Sequence, residues 1–227
     1  MTTLLASNNA HKYNEMTGIL RHAAPSVTLL RPVDVGFRFD AEEPGHTFSE
    51  NAMIKARAAW LLQQGIAAPG VTVEPDVGFV AAAIAKRFGA ALPVLADDSG
   101  ISVDALDGAP GVTSARFGSE TLGPEATDAD RTALLLETLA NRDDRGAHYT
   151  CNAVLIVAGD RYFQAQETWA GEVARELHPG QSGFGYDPLF WLPSFGCSVS
   201  QLPQEQKDRI SHRALAVAAV MRAASVA

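Results

Sequence analysis

Residues 93–106, which read PVLADDSGISVDAL, set two adjacent acidic residues between two apolar runs. The runs predict two buried strands, and the Asp-Asp-Ser-Gly composition between them predicts a tight turn. Neighbouring carboxylates repel each other, so a fold tolerates them best when a cation or hydrogen bonds offset their charge. Mg²⁺ prefers such oxygen ligands and is usually held by one or two carboxylates together with substrate phosphates. Asp97 and Asp98 therefore indicate a metal site, with a plain turn as the alternative.

The sequence on both sides of this stretch mixes strand and helix patterns without strict alternation, which predicts an α/β fold with a mixed sheet. Thr47 and Glu50 form a capping box that opens a strong helix, and Gly65 is expected to end it. The other predicted elements are strands at 2–7 and 27–32, a helix at 9–21, a helix capped by Thr127, a hairpin around Gly159-Asp160 and a helical tail from Gln204.

Residues 65–91 differ from the rest because they are rich in Gly and Pro before a short amphipathic helix, FVAAAIAKRFG. We expect an inserted surface excursion here, with an interface or a lid as the alternative.

Composition limits the possible functions. The chain has 227 residues, a formal net charge of −8 and only two cysteines, Cys151 and Cys197. The acidic balance argues against binding to nucleic-acid backbones, and the cysteine spacing argues against a disulfide framework or a zinc site. No run of 18 apolar residues and no signal-peptide core is seen. We expect a soluble, cytoplasmic protein with no nucleic-acid or membrane partner.

A second polar group lies between the first strand and the first helix, in Ser7-Asn8-Asn9-Ala10-His11-Lys12. Free N–H groups and the helix dipole bind anions at such a position, and Lys12 adds a charge. Asn and Ser are also good N-caps, so simple capping is an equal alternative.

Two further groups lie near the C-terminus. In SGFGYDPLF (182–190), glycines flank Phe184, which suits stacking on a planar ring while Asp187 reads its edge. Lys207 with Ser211-His212-Arg213 supplies basic donors for a phosphate or a base carbonyl. Together the four groups fit a nucleoside triphosphate, although neither a P-loop nor a dinucleotide fingerprint is present.

These residues resemble the inosine triphosphate pyrophosphatases, which hydrolyse non-canonical purine nucleoside triphosphates. The matching stretches run in the family's order over nearly the whole chain: LLASNNAHKYNEM, EEPGHTFSENAMIKARAA, LADDSGISVDALDGAPGVTSARF, ETWAGEV, SGFGYDPLF and EQKDRISHRALA.

The resemblance implies a long twisted mixed β-sheet with helices on both sides, two lobes around a central cleft, and a homodimer. It implies that Asp98 is the general base and that Mg²⁺ is held by Asp97, Asp98 and one of Glu42 and Glu43. The substrate-binding residues that it implies are Ser7, Asn8, Asn9, Lys12, Lys55, Ser99, Phe184, Gly185, Tyr186, Asp187, Lys207, His212 and Arg213.

The reaction that the resemblance implies is Mg²⁺-dependent hydrolysis of ITP, dITP or XTP to the monophosphate and pyrophosphate. Two alternatives stay open: a pyrophosphatase for other modified nucleotides, and a non-catalytic nucleotide-binding regulator. The chain departs from the family pattern at Asn8 and Thr113, and its stretch between Lys55 and Asp97 is longer than usual by roughly 25–30 residues. We therefore expect a single pyrophosphatase domain over 1–227 with an insertion at about 65–91.

Overall fold

The computed structural model describes residues 1–226, and within them it has the mixed α/β fold that the sequence predicts. The helices are α1 (Ala10–Ala23), α2 (Phe48–Gln63), α3 (Val77–Phe88), α4 (Ser119–Leu122), α5 (Asp128–Thr138), α6 (Gln204–Ile210) and α7 (His212–Ser225). The strands are β1 (Thr2–Leu5), β2 (Thr28–Leu30), β3 (Arg38–Ala41), β4 (Val71–Glu74), β5 (Val94–Val103), β6 (Gly146–Ala158), β7 (Arg161–Val173), β8 (Phe190–Leu192) and β9 (Cys197–Ser198).

A seven-stranded sheet in the order β2-β1-β5-β6-β7-β8-β9 is the main β-structure. Strand β1 is parallel to both β2 and β5, whereas β8 is antiparallel to β7 and β9. The sheet is therefore mixed, as expected. Strands β3 and β4 form a separate antiparallel pair.

The expected turn at Asp-Asp-Ser-Gly is wrong, because residues 94–103 form one continuous strand, β5. The composition favours a turn there, but a strand forms because cationic partners offset the charges of both carboxylates. Gly100 also lies so close to Ser114 and to the Gly111 carbonyl that a Cβ atom would overlap them. The glycine therefore serves close packing of the strand, and no reversal of the chain occurs.

The helix starts follow the sequence signals closely. The Asn9 side chain caps α1, and the Thr47–Glu50 capping box opens α2. Thr127 caps α5 through a second capping box with Asp130. Side-chain acceptors of this kind satisfy N–H groups that the first helical turn leaves unpaired, so these boundaries are encoded locally.

The segment at 65–91, for which an inserted surface excursion is expected, is mostly exposed but has regular structure. Residues 71–74 form β4, which pairs with β3, and α3 follows as predicted. Val80 and Ile84 of α3 are fully buried in the same apolar cluster as α2 residues Ala59 and Leu62. The mostly exposed segment therefore adds two side chains to this cluster, a contact that the Gly- and Pro-rich pattern does not reveal.

The chain divides into two compact units. Within the described residues, unit 1 comprises residues 1–98, 152–167 and 213–226, and unit 2 comprises residues 99–151 and 168–212. Each unit has its own apolar cluster, centred in unit 1 on residues such as Leu4 and Leu62, and in unit 2 on residues such as Leu135 and Phe190. No helix among residues 1–226 combines the length and the apolar character needed to cross a bilayer.

Candidate functional site

Asp98 in unit 1 is held by two donors from one face of α2. Lys55 Nζ lies 2.9 Å from its Oδ1 atom, and Asn51 Nδ2 lies 3.3 Å from its Oδ2 atom. Asn51 and Lys55 are four residues apart, so a helix brings them to the same side. Both carboxylate oxygens of Asp98 are therefore oriented by the helix that the capping box begins.

Asp97 lies beside Asp98 on β5 but has different partners. Lys12 Nζ of α1 is 3.0 Å from its Oδ1 atom, and Arg213 Nε at the start of α7 is 3.1 Å from its Oδ2 atom. The Arg213 guanidinium also bonds to Glu15. The side chains of Asp97, Arg213 and Glu15 are all buried. Arg213 thus serves to hold Asp97 in this structure.

The electrostatics separate the two aspartates. Burial alone would raise the pKa of the Asp97 carboxyl, but the charges of Lys12, Arg213 and Lys55 outweigh it and hold that pKa well below its usual range. Burial raises the pKa of Asp98, and the attraction of Lys55 does not fully offset it. The Lys55 ammonium loses solvation, yet the neighbouring carboxylates raise its pKa overall.

Of the two glutamates left open by the sequence, Glu43 is the one in this group. Its Oε1 atom lies 3.2 Å from Lys55 Nζ, whereas Glu42 is exposed and lies beside Gly70.

The predicted anion-binding segment at 7–12 makes local contacts in this structure. The Asn9 side chain accepts hydrogen bonds from the N–H groups of His11 and Lys12 at 2.9 and 3.1 Å, and Ser7 Oγ accepts from the Asn9 N–H at 3.2 Å. Asn8 donates to the Phe39 carbonyl of β3. Capping is therefore one real role of this segment, and Lys12 is its link to Asp97.

Unit 2 holds a second polar group, around Asp187. This buried carboxylate accepts from Lys207 Nζ at 2.7 Å, from the Phe184 N–H at 2.9 Å and from the Tyr149 hydroxyl at 3.1 Å. Lys207 Nζ also lies 5.3 Å from the centroid of the Phe184 ring, within the range of a cation–π interaction. The ion pair therefore fixes the aromatic residue that the sequence singles out.

The other unit 2 residues of the predicted set are His212, Tyr186, Ser99 and Gly185. His212 stacks on Tyr149 with ring centroids 4.7 Å apart and lies 6.3 Å from Trp169. The Tyr186 hydroxyl donates to the Ser114 carbonyl at 2.8 Å, and burial raises its pKa. Ser99, half-buried, and Gly185, whose N–H bonds to Asp128, complete the set.

The residues that contact the predicted set but are absent from it include Asn51, Glu15, Tyr149 and Trp169. The four-residue spacing of Asn51 and Lys55 is a usable signal for the first. Glu15 pairs with Arg213 across 198 positions of the chain, and no local pattern points to such a contact.

A divalent cation fits part of this arrangement. Among residues 1–226, no three His, Cys, Asp or Glu side chains are grouped as a complete metal site. The carboxylates of Glu43 and Asp98 nevertheless converge on one cationic group, Lys55 Nζ. Since Mg²⁺ is commonly bound by one or two carboxylates while substrate phosphates and water supply the rest, these two donors suit it.

The structure thus combines a mixed α/β fold with cation-paired carboxylates in unit 1 and, in unit 2, an aromatic side chain within cation–π range of a buried lysine. The chain belongs to the Ham1 family, whose model matches residues 3–223.

Individual relatives agree with this assignment. The dITP/XTP pyrophosphatase of Treponema denticola is 38% identical over 222 residues, covering 98% of this chain and 97% of its own. The dITP/XTP pyrophosphatase of Chromobacterium violaceum is 41% identical over 220 residues, which cover 96% of this chain and 94% of its own. The structure of a HAM1 protein from Coxiella burnetii is similar with a TM-score of 0.72 and 35% identity over 100% of both chains. The family resemblance inferred from the sequence is confirmed.

Proposed function

We propose that this chain hydrolyses non-canonical purine nucleoside triphosphates (ITP, dITP and XTP) to the monophosphate and pyrophosphate, in a Mg²⁺-dependent reaction. The class, a nucleoside triphosphate pyrophosphatase, is that of its named relatives. The observation that carries the proposal is the Asp98 carboxylate held between Lys55 and Asn51, with Glu43 on the same lysine.

In this proposal Asp98 is the general base. Its raised pKa brings it nearer to the range in which a carboxylate accepts a proton from water effectively. Mg²⁺ bound by Glu43 and Asp98 would neutralise charge that develops on the phosphates. Lys12 and Lys55 carry positive charge on either side of the aspartate pair and are the groups we assign to the triphosphate, together with Ser7, Asn8 and Asn9.

We assign base recognition to the unit 2 group. Phe184 would stack on the purine, while Lys207 and His212 lie among the side chains that surround Asp187 and Tyr149. A site that donates hydrogen bonds to the 6-keto oxygen rejects adenine strongly, because the amino group leaves buried donors without partners.

The test is pyrophosphate release from dITP, XTP, dGTP, dATP and a pyrimidine triphosphate, each with and without Mg²⁺. We expect release from dITP and XTP only, and only with the metal. Equal turnover of a pyrimidine triphosphate would favour the alternative of a pyrophosphatase for other modified nucleotides. Binding without any release would favour the non-catalytic regulator. The homodimer, the cytoplasmic location and the single domain stay predictions.

A further inference from the structure

The fully buried side chain of Asn51 makes two hydrogen bonds, one as a donor and one as an acceptor. Its Nδ2 group donates to Asp98 Oδ2 at 3.3 Å, and its Oδ1 atom accepts from the Gly45 N–H at 2.8 Å. A buried amide that joins two separate segments constrains both of them, because either segment loses a partner if it moves.

The backbone approach at Gly45 is tight enough to require glycine. A Cβ atom there would overlap Asn51 Oδ1 and lie 2.8 Å from the Cβ atom of Glu50. Gly45 comes two residues after Glu43, which bonds to Lys55. The Asn51 amide therefore ties down the loop that carries one acidic side chain and directly contacts the other.

The helix adds a further constraint. Asn51 and Lys55 lie on one face of α2, so the two oxygens of Asp98 meet two donors from a single rigid element. Lysine side chains are long and flexible, whereas the short Asn side chain is fixed by its Gly45 bond. Lys55 holds one oxygen of Asp98 through an ion pair, and Asn51 restricts the other through a side chain that is itself anchored to Gly45.

We propose that Asn51 is a positioning residue for catalysis, which fixes the Asp98 carboxylate relative to the loop that carries Glu43 and Gly45. This inference rests on the proposed function, since it assigns Asn51 to the same reaction. Asn51 acts through Asp98 and Gly45 and need not touch the substrate.

The isosteric variant Asn51→Asp separates the two bonds. It retains an oxygen acceptor for the Gly45 N–H but replaces the donor to Asp98 by a carboxylate. We expect kcat for dITP to fall by about 100-fold, the loss typical of a misplaced reacting group, while KM changes less than about threefold. Wild-type kcat in this variant would overturn the proposal.

Gln63 offers a matched control on the same helix. This buried amide of α2 donates to the Leu92 carbonyl at 3.2 Å and accepts from the Leu92 N–H at 2.8 Å. Gln63→Glu therefore buries a comparable carboxylate without contact with Asp98, and it should lower the melting temperature while kcat stays near wild type. An equal loss of kcat in both variants would mean that Asn51 is merely structural. If Asn51→Asp does not fold, Asn51→Ala, which adds no charge, carries the same expectation.

A measurement without turnover keeps this inference distinct from the proposed function. NMR spectra of protein labelled with ¹⁵N at asparagine report on the Asn51 side-chain amide, whose signal is assigned by its loss in Asn51→Ala. The amide protons should exchange slowly with solvent, and their signal should shift in Asp98→Ala. Fast exchange and no shift would overturn the Asn51–Asp98 bond. If the wild type releases no pyrophosphate from any nucleotide, the proposed function fails even when the amide behaves as expected.

Discussion

Asp97 and Asp98 are chain neighbours whose pKa values shift in opposite directions. Successive side chains of a strand point to opposite faces. Asp97 therefore pairs with two cationic side chains, Lys12 and Arg213, whereas Asp98 pairs with one, Lys55. Two carboxylates with pKa values pushed apart suit two different roles, a permanent anion and a proton acceptor.

Replacing Asp98 by Asn should remove the proton acceptor while keeping the shape of the side chain. We expect dITP turnover to fall by at least about 10³-fold, near the upper end of the general-base effect. Nucleotide affinity, measured by calorimetry, should be largely spared. Asp160→Asn, at the exposed tip of the β6–β7 hairpin, is the matched control and should turn over normally. Near-normal turnover of Asp98→Asn would rule out its assigned role.

Asp97 should stabilise the folded protein in a pH-dependent way. Because its folded-state pKa lies below the unfolded value of about 3.9, its contribution is complete above that pH and is lost as the pH falls towards the folded-state pKa. Asp97→Asn should therefore cost about 3–5 kcal/mol at pH 7, the usual loss when a buried pair is broken.

Melting temperatures of the wild type and Asp97→Asn at several pH values check this. The difference between the two proteins should be large at pH 7 and narrow as the pH drops below about 4. A difference that stays constant would show that ionisation of Asp97 does not contribute.

At the scale of elements, the start of α5 supports the loop that carries Phe184. The Gly185 N–H bonds to Asp128 Oδ2 at 3.1 Å, and the Thr132 hydroxyl lies 3.4 Å from the Gly185 carbonyl. Gly183 and Gly185 both adopt positive φ angles, which other residues rarely do. The aromatic loop is thus held by a helix end and by Asp187.

Asp128→Ala should loosen this loop and raise KM for dITP about fivefold, the equivalent of one hydrogen bond worth ~1 kcal/mol, with kcat little changed. Asp130→Ala is the control, since Asp130 belongs to the same helical turn but bonds only to Thr127 among the contacts described for it. It should lower stability slightly, through loss of the capping box, and leave KM unchanged. Equal KM values in the two variants would refute the support role.

At the scale of the whole molecule, residues 65–91 contribute Val80 and Ile84 to the unit 1 core, so their removal would expose apolar residues of α2. Ile84→Ala should cost about 2–5 kcal/mol, because the side chain is 1% exposed and leaves a cavity. Ile66→Ala, at a residue 50% exposed in the same segment, should change stability by less than about 0.5 kcal/mol. Chemical denaturation of both variants measures these changes. An unaffected Ile84→Ala would show that the segment does not contribute to the core.

Much of the local structure follows from the sequence. The caps at Thr47 and Thr127, the hairpin at Gly159-Asp160 and the mixed α/β class are predicted and present. The cap at Asn9 is one of the two alternatives that the sequence leaves open. The motif blocks also indicate the family, and the comparisons confirm it. These features depend on residues close together in the chain, where side-chain chemistry acts within a turn or two.

Tertiary structure alone decided the rest. Asp-Asp-Ser-Gly forms a strand because Lys12, Lys55 and Arg213, distant in sequence, compensate its charge. The choice of Glu43 over Glu42 and the contact of Asn51 with Asp98 depend on where a strand and a helix meet. Sequence pattern reports local preference, whereas the free energy of a buried charge depends on partners that only the folded chain brings within a few ångströms.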